Sequence, residues 1–148
     1  MNTFTVRRII SQDKPEWLRM RLLLWPNHTP DELQEEMDEF IENPEQPVFI
    51  LLRADGSPGG FLEGGTRDYA DGCETNPVGY IEGWYVDADL RRQGAGRALV
   101  SAMEGWARKR GLLEMGSDTW LDNETSITAH EHLGYVLKER IVHFAKKL

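Results

Sequence analysis

Residues Val78–Gly111 read VGYIEGWYVDADLRRQGAGRALVSAMEGWARKRG, and this stretch falls into three parts. Val78 to Val86 is apolar and suited to a strand, Asp87 to Gln93 is a polar corner, and a helix opens at Gly94. Ala95, Ala98, Leu99, Ala102, Met103 and Trp106 recur every three or four positions and therefore share one helical face. Gly111 is the expected C-terminal stop.

The corner carries Arg91, Arg92, Gln93, Gly94, Ala95 and Gly96. Small side chains there leave backbone N–H groups open to a ligand at the positive end of the helix dipole, which makes an anion seat. Arg91, Arg92 and Arg97 add fixed charge able to pair with phosphate oxygens, so the implied ligand is a phosphate ester. Upstream, Gly83 interrupts the strand between Glu82 and Trp84, as at a bulge or a close approach to the backbone. Glu82 is expected to be partly desolvated, the environment that turns a carboxylate into a useful general base.

Two familiar phosphate sites fail on spacing. Arg97, Ala98 and Leu99 follow Gly96, so GxGxxG lacks its third glycine, and no Lys-Ser/Thr pair completes a P-loop. The pattern Arg91-x-x-Gly94-x-Gly96, after a strand and before an amphipathic helix, resembles the acyl-CoA pyrophosphate loop of the GNAT N-acetyltransferases. An ordinary glycine-containing turn is the alternative at this point.

The chain of 148 residues suits one domain with a proper core, expected to span 1–148. A single cysteine, Cys73, excludes an internal disulfide and fits a reducing compartment. The first residues, MNTFTVRRIISQDK, lack the apolar run and cleavage site of a signal peptide, and no segment reaches transmembrane length. Cytoplasmic location without a membrane partner is the expectation. The net charge of −8, from 25 acidic against 17 basic residues, argues against nucleic acid and favours a cationic substrate.

In chain order, Phe4 to Ile10 reads as a strand, with Ser11 to Asp13 as capping candidates for a helix that ends at Trp25-Pro26. Thr29, Pro30 and Glu32 form a capping-box start to a second helix, which ends by Pro44. Its apolar stripe is Leu33, Met37, Phe40 and Ile41, and the rest of its surface is acidic, from Asp31 to Glu42. That surface is either a solvated face or a field that concentrates a polycation. Val48 to Arg53 and Gly60 to Thr66 read as a hairpin about Asp55-Gly56. Leu112 to Asp118 reads as a fifth strand, Asn123 to Gly134 as a capped helix, and Tyr135 to Glu139 and Ile141 to Lys146 as two last strands.

The resulting order, β-α-α-β-β-β-α-β-α-β-β, is that of the GNAT fold. The resemblance implies an α+β architecture, with a central, mostly antiparallel sheet of about seven strands and four helices. Asn123 to Tyr135 (NETSITAHEHLGY) looks like the family's final helix, in which a tyrosine four residues before the closing glycine often protonates the CoA thiolate. This chain has His130 there.

Further stretches resemble the aminoglycoside 6′-N-acetyltransferases: Leu24-Trp25-Pro26, Arg67-Asp68-Tyr69 with Gly72-Cys73, Ile81-Glu82-Gly83, Met115 to Thr119, and Glu139-Arg140. The resemblance implies that Trp25, Tyr69, Glu82, Asp118 and Glu139 contact the drug. It implies that Trp84, Tyr85, Val86, Arg92 to Arg97 and Asn123, with Arg91 of the loop, contact acetyl-CoA, and that the enzyme is a homodimer. Each drug-site residue also has a structural reading: Trp25 as a core aromatic, Tyr69 as a loop anchor, Asp118 as a turn cap, and Glu139 as a partner of Arg140 or Lys138.

The chemistry expected is direct acyl transfer in a ternary complex, with Glu82 as base, Asp118 orienting the ammonium, an amide of the Trp84–Val86 run facing the oxyanion, and His130 or solvent as acid. No metal is expected, since His130 and His132 lie two apart on a helix and point to different faces. A covalent intermediate on Cys73 lacks a nearby histidine in sequence. Other readings are a GNAT enzyme acting on a protein N-terminus, lysine or polyamine, and a non-catalytic acyl-CoA sensor.

Overall fold

The computed structural model describes residues 3–148. One sheet runs in the order β1 (Thr5–Arg8), β2 (Val48–Leu52), β3 (Pro58–Arg67), β4 (Val78–Val86), β5 (Met115–Ser117). The first four strands pair antiparallel, and β5 returns parallel to β4 after the crossover helix α4. The helices are α1 (Lys14–Leu24), α2 (Pro30–Glu35), α3 (Met37–Glu42), α4 (Ala95–Lys109) and α5 (Glu124–His132).

Two cores sandwich the sheet. The apolar stripe of α4, with Leu99, Val100 and Met103, packs on Leu51, Leu62 and Ile81. Trp17 and Met20 of α1, with Met37 of α3, pack on Val48, Ile50 and Phe61 across the sheet. Ile50 and Leu51, like Phe61 and Leu62, are neighbours in sequence, fully buried, and members of opposite cores, as the two-residue period of a strand requires.

Several expected elements form as read. The Thr29–Glu32 capping box is made in both directions, at 3.0 and 3.3 Å. Asn123 caps α5 by accepting from the Ser126 amide at 3.1 Å. Gly94 caps α4 in the left-handed region (φ 89°), and Gly111 follows its end with φ 74°.

Three expectations are corrected. The sheet has five strands rather than about seven, because Tyr135–Glu139 and Ile141–Lys146 join no ladder. An apolar alternating segment becomes a strand only when another edge accepts its hydrogen bonds, and no described edge does so. The fifth strand, expected over Leu112 to Asp118, shrinks to three residues for a related reason: β4 pairs with β5 only over Gly79 to Ile81. The acidic helix is broken at Glu36 into α2 and α3. The Leu33 carbonyl, which would accept from Met37 in a continuous helix, accepts instead from the buried Arg21 guanidinium, which also pairs with Glu36.

Candidate active site

The strand expected to be kinked is kinked at Glu82. Glu63 lies opposite Gly83 and Gly64 opposite Ile81, which leaves Glu82 as the extra residue of a β-bulge. Pairing of β4 with β5 also stops there, at Ile81 opposite Ser117. Beyond the bulge the β5-facing edge of β4, from Gly83 to Val86, has no strand partner among the described residues. β5 ends there, and His130 of α5 packs against the open edge, edge-on to the Trp84 ring at 5.2 Å.

Gly83 is small because Trp25 lies on it: a Cβ at Gly83 would meet the indole at 2.7 Å. Trp25 combines the two roles weighed for it. It meets the core ring of Phe61 edge-on at 6.3 Å and lines a groove of about 720 Å³, within the usual range for ligand pockets. Carboxylates of Glu32, Glu36, Glu45 and Glu82 line that groove, so the inner flank of the broken acidic helix faces it. The other acidic residues of the helix, such as Asp31, Glu35 and Asp38, lie outside this wall.

Glu82, expected to be partly desolvated, keeps 43% of its side chain accessible. A bulge residue has no ladder neighbour to cover it. Its oxygens accept from Arg67 at 2.9 and 2.7 Å. The Arg67 guanidinium lies 3.6 Å from the centre of the Tyr80 ring. Burial, reinforced by Asp118, raises the Tyr80 hydroxyl well above its ordinary range, so it keeps its proton and donates to Asp118 at 2.5 Å. Glu82 and Asp118, far apart in sequence, thus belong to one cluster through Arg67 and Tyr80. Sequence reading gave neither connecting residue a role: Arg67 entered only within the Arg67-Asp68-Tyr69 stretch, Tyr80 carries no local signature, and only the register brings them together.

Tyr69 and Glu139 stand further out. Tyr69 is exposed in the loop after β3, donates to Asp71 at 2.7 Å and feels the charge of Glu139 in the C-terminal segment. Neither residue, nor Asp118, lines the acidic groove that gathers Trp25 and Glu82.

On the other side of the bulge lies the glycine corner. Gly96 lets α4 approach Trp84, since a Cβ there would meet the indole at 2.8 Å. The first helical bond of the turn runs from the Ala98 amide to the Gly94 carbonyl, so the Ala95, Gly96 and Arg97 amides precede the intrahelical ladder and stay available. Arg92 is exposed, has φ 62°, and makes no side-chain hydrogen bond or ion pair among the described residues. Arg91 donates to the Val86 carbonyl at 3.0 Å, Gln93 to the Asp89 carbonyl at 2.7 Å, and Arg97 to the His132 carbonyl at 3.1 Å. Of the three corner arginines, Arg91 braces the turn and Arg97 ties the start of α4 to the end of α5, which leaves Arg92 unpaired among the described residues. The buried Trp84 indole N–H has no partner among the described residues. Bare amides, an unpaired guanidinium and an unpaired donor beside the open edge of β4 fit a phosphate-bearing thioester co-substrate.

His130 is the remaining group. Its Nδ1 lies 2.7 Å from the Ser126 carbonyl and must carry a proton to make that bond, so in the neutral ring Nε2 accepts from the Ser117 hydroxyl, 2.8 Å away. Asn123, the expected cofactor contact, is exposed at the start of the same helix. Among the described residues no three His, Cys, Asp or Glu side chains converge on a metal site, and no helix is long and apolar enough to cross a membrane.

Comparison with known proteins gives the family. The model of the acetyltransferase (GNAT) family matches residues 17–135. An aminoglycoside N(6′)-acetyltransferase type 1 of Klebsiella aerogenes is 42% identical over 97% of this chain and 96% of its own. The solved 6′-N-acetyltransferase AAC(6′)-Ih of Acinetobacter baumannii superposes with a TM-score of 0.92 at 32% identity, covering 99% of both chains. AAC(6′)-Iy, solved with the bisubstrate analogue CoA-S-monomethyl-acetylneamine, gives 0.92 at 30% identity, again over 99% of both. The chain belongs to the GNAT acetyltransferase family, in its aminoglycoside 6′-N-acetyltransferase branch.

Proposed function

We propose that this protein transfers the acetyl group of acetyl-CoA to the 6′-amino group of aminoglycoside antibiotics and so confers resistance. The observation that carries the reading is the position of Glu82. It is the extra residue of the bulge, with the acidic groove and Trp25 beside it and the open β4 edge beyond it. When bound, acetyl-CoA supplies the electrophilic acyl carbon.

In this reading the Ala95, Gly96 and Arg97 amides, Gly94 and Arg92 hold the pyrophosphate, with Arg91 and Gln93 keeping the turn in shape. Trp84, Tyr85, Val86 and Asn123 line the pantetheine path, and a free amide of β4 faces the acyl oxygen. Trp25, Tyr69 and Glu139 hold the sugar, Asp118 orients the ammonium, and Glu82 takes its proton so that the amine can attack. His130 acts as acid only as imidazolium, releasing the Nε2 proton directly or through the Ser117 hydroxyl beside it.

Residues 1–148 act as one catalytic domain, and the cytoplasm is the proposed compartment. The enzyme is proposed to be a homodimer. In support, the unpaired C-terminal segment presents Val136, Val142 and Phe144 at 71, 72 and 92% exposure, apolar area that a second copy would cover.

Mass spectrometry of an aminoglycoside panel incubated with acetyl-CoA, with spermidine and a peptide as competitors, tests the function. Fragmentation is expected to locate the added acetyl on the 6′ nitrogen. Acetylation of spermidine or peptide alone would redirect the reading to another amine.

A further inference from the structure

Arg67 has no part in the chemistry proposed above, yet it engages both oxygens of the proposed base. It occupies the last position of β3, opposite Val78, and reaches Glu82 through Nε at 2.9 Å and Nη2 at 2.7 Å. Its guanidinium rests over Tyr80, 3.6 Å from the ring centre, and the Tyr80 hydroxyl holds Asp118 at 2.5 Å. Arg67 is therefore the cation set between the two carboxylates assigned to the substrate amine. With both oxygens bonded to a guanidinium, the Glu82 charge is already largely met, so an arriving ammonium competes with Arg67 for this carboxylate, and opening the pair leaves Glu82 the stronger proton acceptor.

The pair is placed so that it can open. The two side chains are 41% and 43% exposed, a setting in which ion pairs are weak, and Arg67 leads directly into the exposed residues Asp68 and Tyr69. Asp118, across the Tyr80 ring, offers the released guanidinium a second carboxylate.

We propose that Arg67 is a resident stand-in for the substrate ammonium, displaced on binding, and that it selects substrates by their number of charges. The proposal rests on the reading of Glu82 as the base in aminoglycoside acetylation. An amine with one charge gains at Glu82 little more than Arg67 gives up. A polycationic sugar has further ammonium groups to set against the groove wall, where Glu32 and Glu36 lie, and so displaces Arg67 with affinity to spare. The cost is the same for both, so it leaves a weakly held single amine unbound at concentrations where the polycation still fills the site.

The test compares wild type, Arg67→Ala and Arg67→Lys with tobramycin and with 6-amino-6-deoxyglucose, which carries a single amine. In Arg67→Ala the KM is expected to fall by a similar factor, about fivefold, for tobramycin and for the single amine, because both shed the same competitor, with the change appearing in KM rather than kcat. Arg67→Lys, which restores a cation without the two-point grip, is expected to lie between. Free guanidinium ion at low millimolar concentration should compete with tobramycin in Arg67→Ala and not in wild type, a behaviour that a merely structural role would not produce. An unchanged or raised KM in Arg67→Ala, or guanidinium that fails to compete, overturns the proposal. A wild type that acetylates no aminoglycoside overturns the functional reading instead.

Discussion

On β3, Glu63 faces Gly83 across the ladder, and one residue earlier on β4 stands Glu82. Each glutamate pairs with an arginine. Glu63 lies 2.7 Å from Arg21 Nε, and the two side chains are 6% and 2% exposed. Glu82 and Arg67 are equally close but 43% and 41% exposed. Burial pushes the Glu63 carboxyl up to about 7, against the pull of Arg21 and the Trp17 indole N–H, which donates to it at 2.9 Å. Arg21 also contacts the Trp17, Trp25 and Phe40 rings, and it ties α1 to the break between α2 and α3. The same pair of residue types is thus a fixed joint on one side of the bulge and an exchangeable contact on the other. What differs is access to water, which sets the cost of separating the charges.

Breaking the joint is expected to have the largest effect on stability. Arg21→Met leaves Glu63 as a buried carboxylate without its partner and should destabilise the fold by about 3–5 kcal/mol in denaturant unfolding. Adding Glu63→Leu should recover much of that loss, because the uncompensated group is then gone.

Asp87 at the end of β4 lies between these extremes, with two cations and a side chain that is 12% exposed. Burial alone would raise its carboxyl, but Arg19 and Arg53 outweigh it and hold the group below its ordinary range. Its stabilisation is therefore fully present above the ordinary value of 3.8 and is lost as pH falls through the lower folded value. Asp87→Asn should cost about 2 kcal/mol at neutral pH, and the gap to wild type should close as the medium is acidified.

At the glycine corner, Gly96→Val drives a branched side chain into the Trp84 indole and should weaken acetyl-CoA binding by about tenfold or more in calorimetry. Gly105→Ala, on the same helix with nothing within 4 Å, is the control expected to bind normally. The smallest change in stability belongs to Arg67→Met, which should shift unfolding by under about 1 kcal/mol. A loss as large as that of Arg21→Met would remove the contrast between the two pairs.

Much of this arrangement is legible in the sequence because it depends on local rules. The bulge is announced by Gly83 inside an apolar run, the corner by Gly94 and Gly96, and the second helix by its Thr29–Glu32 box. What escapes depends on contacts between distant positions. Tyr135 to Lys146 has a strand pattern without an edge to pair with, and pattern alone does not report the edge. The break at Glu36 follows from Arg21 arriving from another helix. Glu82 reads as a partly desolvated carboxylate in a strand, and what that reading lacks is Arg67, which meets it from the end of β3. Ser117 beside His130, and Tyr80 between Arg67 and Asp118, become visible only when β4, β5 and α5 are in register.

Single-turnover acetylation of tobramycin by Glu82→Gln, with acetyl-CoA binding measured on the same preparation, tests the assignment of the base most directly. The amide keeps the shape of the bulge residue but takes no proton, so we expect acetyl-CoA affinity within about twofold of wild type and transfer slowed by about 10²–10⁴-fold. Transfer at the wild-type rate with intact binding would contradict the assignment and leave the bulge as a structural feature.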